Sequence, residues 1–148
     1  MLHVGLAKVD ITPALGIRLG GYGVAERPAE AIHDRLYATA AVFKQDGVIA
    51  AHVTVDVAII MHDDMQRARE LAEQSSGIPA SQINIGASHT HSAPQTFTFH
   101  GWGVKMKPTS MTWCRKSPRP SRKHTTPASP PEWASPHAKP WWVSAGAP

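Results

Sequence analysis

Hydrophobic and polar positions alternate at both ends of this chain's first hundred residues, with a continuous apolar run between them. Leu2 to Val9 alternates enough for a strand, and Asp10 and Pro13 punctuate its end. Residues 13–28 are rich in glycine, and Gly20, Gly21 and Gly23 favour a loop with unusual backbone angles. Leu36 to Lys44 reads as a second strand, and Gln45-Asp46-Gly47 as a hairpin turn. The run from Val48 to Ile60 is almost wholly apolar, the pattern of a strand covered on both faces. Asp63 to Gln74 then takes helical spacing, with Met65, Ala68, Leu71 and Ala72 on one side. His62 or Asp63 is expected to begin this helix and Gly77 to end it. Gln82 to Ala87 is a short half-buried strand with Ile83 and Ile85 on one side. Strand, helix and strand in this order predict a right-handed parallel βαβ unit. The expected fold class is α/β, a partial mixed or parallel sheet followed by a disordered, proline-rich tail.

The candidate chemistry follows the last strand, in Ser88-His89-Thr90-His91-Ser92-Ala93-Pro94. Residues i and i+2 of a strand point to the same face, so His89 and His91 are expected to converge where the strand ends. Pro94 helps to stop the ladder. Two neutral imidazoles on one face suit a divalent transition metal such as zinc, or a general-base pair. The plainer alternative is a polar strand end whose histidines bond to backbone or water. Sites in parallel sheets gather beyond the carboxyl ends of strands. Asp56, near the end of the long apolar run, therefore has two readings: a carboxylate that orients an imidazole, or a turn acid. Asp10 reads as a structural turn residue. His3, His52 and His62 lack converging partners in the sequence, and spacing alone does not place His100.

Several segments surround this element in a fixed order. They are Ala7-Lys8-Val9-Asp10-Ile11-Thr12-Pro13, Gly20-Gly21-Tyr22-Gly23, Ile32-His33-Asp34-Arg35-Leu36-Tyr37-Ala38 and Thr54-Val55-Asp56. Together with Ala87 to Pro94 they resemble the amino-terminal part of the neutral/alkaline, non-lysosomal ceramidase family, from Gly5 to about Gly101. The family typically reads Thr-His-Thr-His-Ser-Gly-Pro at the motif. This chain has Ser88 for the first threonine and Ala93 for the glycine, and it keeps both imidazoles. The resemblance implies a zinc amidohydrolase that splits the N-acyl bond of ceramide into sphingosine and fatty acid, so the implied cofactor is Zn2+ and the implied partner a lipid amide substrate. It implies that His89 is a zinc ligand and that His91 lines the same site, as a second ligand or a neighbour. A further histidine, a glutamate and a tyrosine complete the family's metal shell. These, and a serine implicated in the chemistry, lie downstream in full-length members. His33 stands where some relatives place a ligand of a second, structural cation.

Composition divides the chain near Val104. Residues 1–104 hold 7 Lys and Arg against 10 Asp and Glu, whereas residues 105–148 hold 8 against Glu132 alone, so the basic balance belongs to the tail. Nine of the 13 prolines and four of the five tryptophans also fall there. So much proline resists a helix or a central strand. Residues 1–104 are therefore expected to form the amino-terminal fragment of a catalytic domain, and 105–148 a basic tail without a packed core. Read one nucleotide back from Lys105, the tail encodes glutamate at Met106-Lys107, aspartate at Met111-Thr112 and valine at Trp113-Cys114 whatever the codons, which points to a frameshift that truncated a longer enzyme. A 148-residue chain is short for such an enzyme, and the fragment is expected to be inactive alone. Two other functions stay open: a small metal-binding domain completed by oligomerisation, and a basic-tailed nucleic-acid or membrane-binding module. The tail lacks an ordered arrangement of stacking residues, so no nucleic-acid partner is expected. No apolar stretch approaches the roughly 20 residues that span a bilayer, and no signal peptide opens the chain. A cytoplasmic product is the default expectation, with secretion open if the start is mis-assigned; oligomeric state is not legible.

Overall fold

The computed structural model describes residues 1–23 and 27–101. The expectation of a disordered tail, and that of a frameshift within it, concern residues that lie outside the described ones. Four strands form one sheet in the order β1 (His3–Asp10), β2 (Tyr37–Gln45), β3 (Val48–Val55), β4 (Ile83–Ala87). The first three are antiparallel neighbours, and β3 pairs parallel with β4 across the helix α1 (His62–Ser76). The sheet is thus mixed, with the βαβ unit at one edge.

Local chemistry accounts for most boundaries. Asp46 (φ 50) and Gly47 (φ 83) both take positive φ between paired Gln45 and Val48. That is the two-residue turn whose twist matches an antiparallel pair. Gly77 closes α1 in the left-handed conformation (φ 70), and its N–H donates to the Glu73 carbonyl at 2.8 Å. The other end also follows the expectation, with α1 beginning at His62. The residue before it, Met61, makes no side-chain cap. Asp63 and Asp64 lie in the first turn, where negative charge is favourable to the helix dipole.

The core lies on one side of the sheet. Val42, Ala51, Val53, Ile83 and Ile85 pack with Ala72 of α1, and Met65 and Ala68 of the helix flank them. The opposite face stays open. Val4, Leu6 and Phe43 are exposed there, as are Ala50 and His52 of β3. The apolar run from Val48 to Ile60 is therefore neither covered on both faces nor one strand. The strand stops at Val55 because Asp56 turns the chain: the Val57 N–H donates to the Val55 carbonyl at 2.9 Å, a three-residue turn. No helix among the described residues is long and apolar enough to cross a membrane.

Candidate active site

The exits of β3 and β4 are stitched side by side. The Ser88 N–H donates to the Val55 carbonyl at 3.0 Å and the His89 N–H to the Val57 carbonyl at 3.1 Å. β4 has already ended at Ala87, and His89 takes positive φ (63), so the strand pleat does not bring the histidines together. A sharp backbone turn does. A non-glycine residue in this conformation carries strain of order 1–3 kcal/mol, and such strain gathers at functional sites. The expected convergence is reached by another route: His89 and His91 lie with ring centroids 5.0 Å apart and Nε2 atoms 3.5 Å apart.

The orientation of His89 is set by a carbonyl. Its Nδ1 lies 2.7 Å from the Ala58 oxygen. A carbonyl can only accept, so Nδ1 carries the proton, and in the neutral ring Nε2 keeps its lone pair toward His91. Asp56 does not take this orienting role. Its carboxylate accepts the Tyr37 N–H at 2.8 Å and its own N–H donates to the Tyr37 carbonyl at 2.9 Å, so it is the turn acid of its other reading. On the far side, His91 rests against the backbone of Gly21, and the Tyr22 ring stands edge-on to it at 6.2 Å between centroids.

Both imidazoles open into a cavity of about 150 Å³, whose other walls are Gly21, Ala58, Ile59, Phe97 and Phe99. Apart from the two rings it is apolar. Phe97 is buried, and the Thr96 hydroxyl ties the next wall down by donating to the Ile59 carbonyl at 2.6 Å. The walls at Phe97 and Phe99 and the orienting Ala58 carbonyl were not legible in the sequence. The glycine run near Gly21 was the one signal for the wall opposite His91.

The remaining candidates lie elsewhere. His33 has a fully exposed side chain, faces Asp34 at 3.7 Å and does not line the cavity. His52 sits within β3 on the open sheet face, its Nδ1 2.8 Å from Asn84 Nδ2 and its Nε2 3.3 Å from Thr54 Oγ1, so it does have partners. His100 does not line the cavity. Asp10 is structural: it accepts the Thr12 N–H at 2.9 Å and pairs with Arg35. Burial pushes its carboxyl up, but the Thr12 hydroxyl and N–H and the Arg35 guanidinium outweigh that and hold it below its ordinary value.

Whether a zinc ion fits can be judged from the ligand span. Two Zn–N bonds of about 2.0–2.1 Å at a tetrahedral angle put their nitrogens roughly 3.3–3.4 Å apart, close to the 3.5 Å between the Nε2 atoms. The pair is suited to one ion in spacing, and His89 in tautomer as well. It is not a full shell, since among the described residues no group of three or more His, Cys, Asp or Glu converges.

Comparison with known proteins identifies the family of the chain. Residues 2–116 match the family described as neutral/alkaline non-lysosomal ceramidase, N-terminal. The crystal structure of neutral ceramidase from Pseudomonas aeruginosa superposes with a TM-score of 0.57 at 28% identity, over 65% of this chain and 16% of that one. A ceramidase complexed with C2 gives 0.55 and 27% over the same shares. This chain thus spans about a sixth of the length of those structures. No curated protein matches it. With most of its length matched by the family, the chain belongs to the neutral/alkaline non-lysosomal ceramidases, as part of their amino-terminal domain.

Proposed function

We propose that this chain carries one wall of a zinc-dependent amidohydrolase site that cleaves the N-acyl bond of ceramide or a related lipid amide. The observation that carries the reading is the His89–His91 pair, with Nε2 atoms 3.5 Å apart in the lining of an otherwise apolar cavity. His89 would hold the metal through Nε2, with its Nδ1–H kept on the Ala58 carbonyl. Such a partner fixes the tautomer and raises ligand basicity. His91 would be the second ligand or hold its proton within reach of the reacting amide. When bound, zinc would supply a polarising charge and a water acidified toward neutral pH. The walls at Ile59, Phe97 and Phe99 would exclude water from an acyl chain beside the amide and favour a lipid over a polar peptide.

Calorimetric titration of the purified chain with zinc tests the assignment. Weak binding is expected, lost in His89→Ala and unchanged in His52→Ala, whose ring lies on the open sheet face. Undiminished affinity in His89→Ala would remove His89 from the site.

A further inference from the structure

The fit between Gly21 and His91 is closer than any ordinary loop contact. Gly21 sits at φ +95, and a Cβ built on it would lie 2.5 Å from His91 Cγ, 2.7 Å from Nδ1 and 2.8 Å from Cδ2. Real Cβ atoms do not tolerate such distances. The loop has little room to retreat, because it is zipped to the segment that follows His91. The Gly20 N–H donates to the Ala93 carbonyl at 2.8 Å and the Gln95 N–H to the Arg18 carbonyl at 3.0 Å, with a bridge between Leu19 and Pro94. The same backbone thus fixes both the height of the glycine floor and the root of the His91 side chain. Tyr22 closes one flank of the ring at 6.2 Å and His89 another at 5.0 Å.

We propose that Gly21 is a positioning residue for His91: its missing side chain admits the imidazole against the loop backbone and sets the ring toward His89. The contact itself stands on geometry alone, and its bearing on catalysis rests on the amidohydrolase reading above. A side chain at position 21 would force the ring out of its present rotamer and spoil the nitrogen spacing.

Gly16 supplies a control. It has a similar φ (+82) in the same loop, but nothing lies within 4 Å of a Cβ placed there. Gly16→Ala therefore reports backbone strain alone, and should raise the unfolding equilibrium constant roughly tenfold. Gly21→Ala adds the clash and should raise it roughly a hundredfold or more. In a His91→Ala background the clash is gone, and the cost of Gly21→Ala should fall back to roughly tenfold. Equal costs in the two backgrounds would overturn the proposal. If Gly21→Ala alone fails to fold, recovery of a folded chain by adding His91→Ala supports it, and no recovery overturns it.

Nuclear magnetic resonance adds a readout that general loosening would not move. The cross-ring Overhauser contact between His89 and His91 should vanish in Gly21→Ala and persist in Gly16→Ala, while the His52 ring signals stay in place in both. A retained contact in folded Gly21→Ala overturns the proposal. Failure of the wild-type chain to bind zinc would instead strike the functional reading, with the stability comparison unaffected.

Discussion

A carboxylate does very different work at two places in this molecule, depending on which groups reach it. Asp56 accepts a backbone N–H and turns the chain, so it contributes shape rather than chemistry. Asp10 gains two donors from Thr12 and a guanidinium from Arg35, which hold its pKa below the ordinary 3.8. As pH falls, the unfolded chain binds this proton before the folded one does. The stabilisation is therefore full above pH 3.8 and lost as pH drops through the lower, folded value. Asp10→Asn keeps an acceptor for the Thr12 N–H but loses the charge. It should cost about 0.5–1 kcal/mol near neutral pH, a modest figure because the pair is partly solvated. Its urea midpoint should fall less steeply than wild type on acidification below pH 4. Parallel acid profiles for the two proteins would show that the ion pair contributes nothing. Asp10 was legible in the sequence as a turn residue, whereas Asp56 kept two readings, because the choice depends on the Tyr37 backbone that another strand brings to it. The histidine pair was legible as an outcome but not as a mechanism. Spacing suggested a shared strand face, whereas the left-handed backbone at His89 brings the rings together.

At the scale of elements, the features that were legible are those decided by neighbours in sequence. Asp46-Gly47 and Gly77 demand positive φ, and the spacing of Met65, Ala68 and Ala72 marks the helical face that meets the sheet. Coverage of a strand is a property of other elements, so the apolar run in β3 suggested two buried faces where there is one. The docking of the glycine loop on residues 93–95 has no periodic signature either, since it joins segments far apart in the chain. The one-sided core makes a direct prediction. Ile83, 3% exposed, lies under α1, whereas Leu6, 70% exposed, lies on the open face. Ile83→Ala should cost about 2–5 kcal/mol through lost burial and a cavity, while Leu6→Ala should change stability by roughly 0.5 kcal/mol or less. Denaturant unfolding of the two variants decides the matter. A large cost at Leu6 would mean that something covers the open face.

For the whole molecule, the question is whether one wall of a site is enough to catalyse. A catalytic zinc ordinarily takes three protein ligands and keeps a position for water, and the described residues bring two imidazoles together with no third His, Cys, Asp or Glu. Space points the same way. Pockets that enclose drug-sized ligands run to roughly 300–1,000 Å³, and the cavity here is about 150 Å³. That is room for a fragment of an acyl chain beside the rings, not for an amide bearing two long chains. The length comparison fits this picture, because the chain spans 16% of the neutral ceramidase it resembles. We therefore expect the purified 148-residue chain to release no fatty acid from N-acyl sphingosine above the buffer rate, with or without added zinc. The assay should follow fatty acid and sphingosine together, since amide hydrolysis must yield both in equal amounts. Hydrolysis that is robust, abolished by a chelator, restored by zinc and lost in His89→Ala would show that the chain completes a working centre by itself, and the one-wall reading would have to be abandoned.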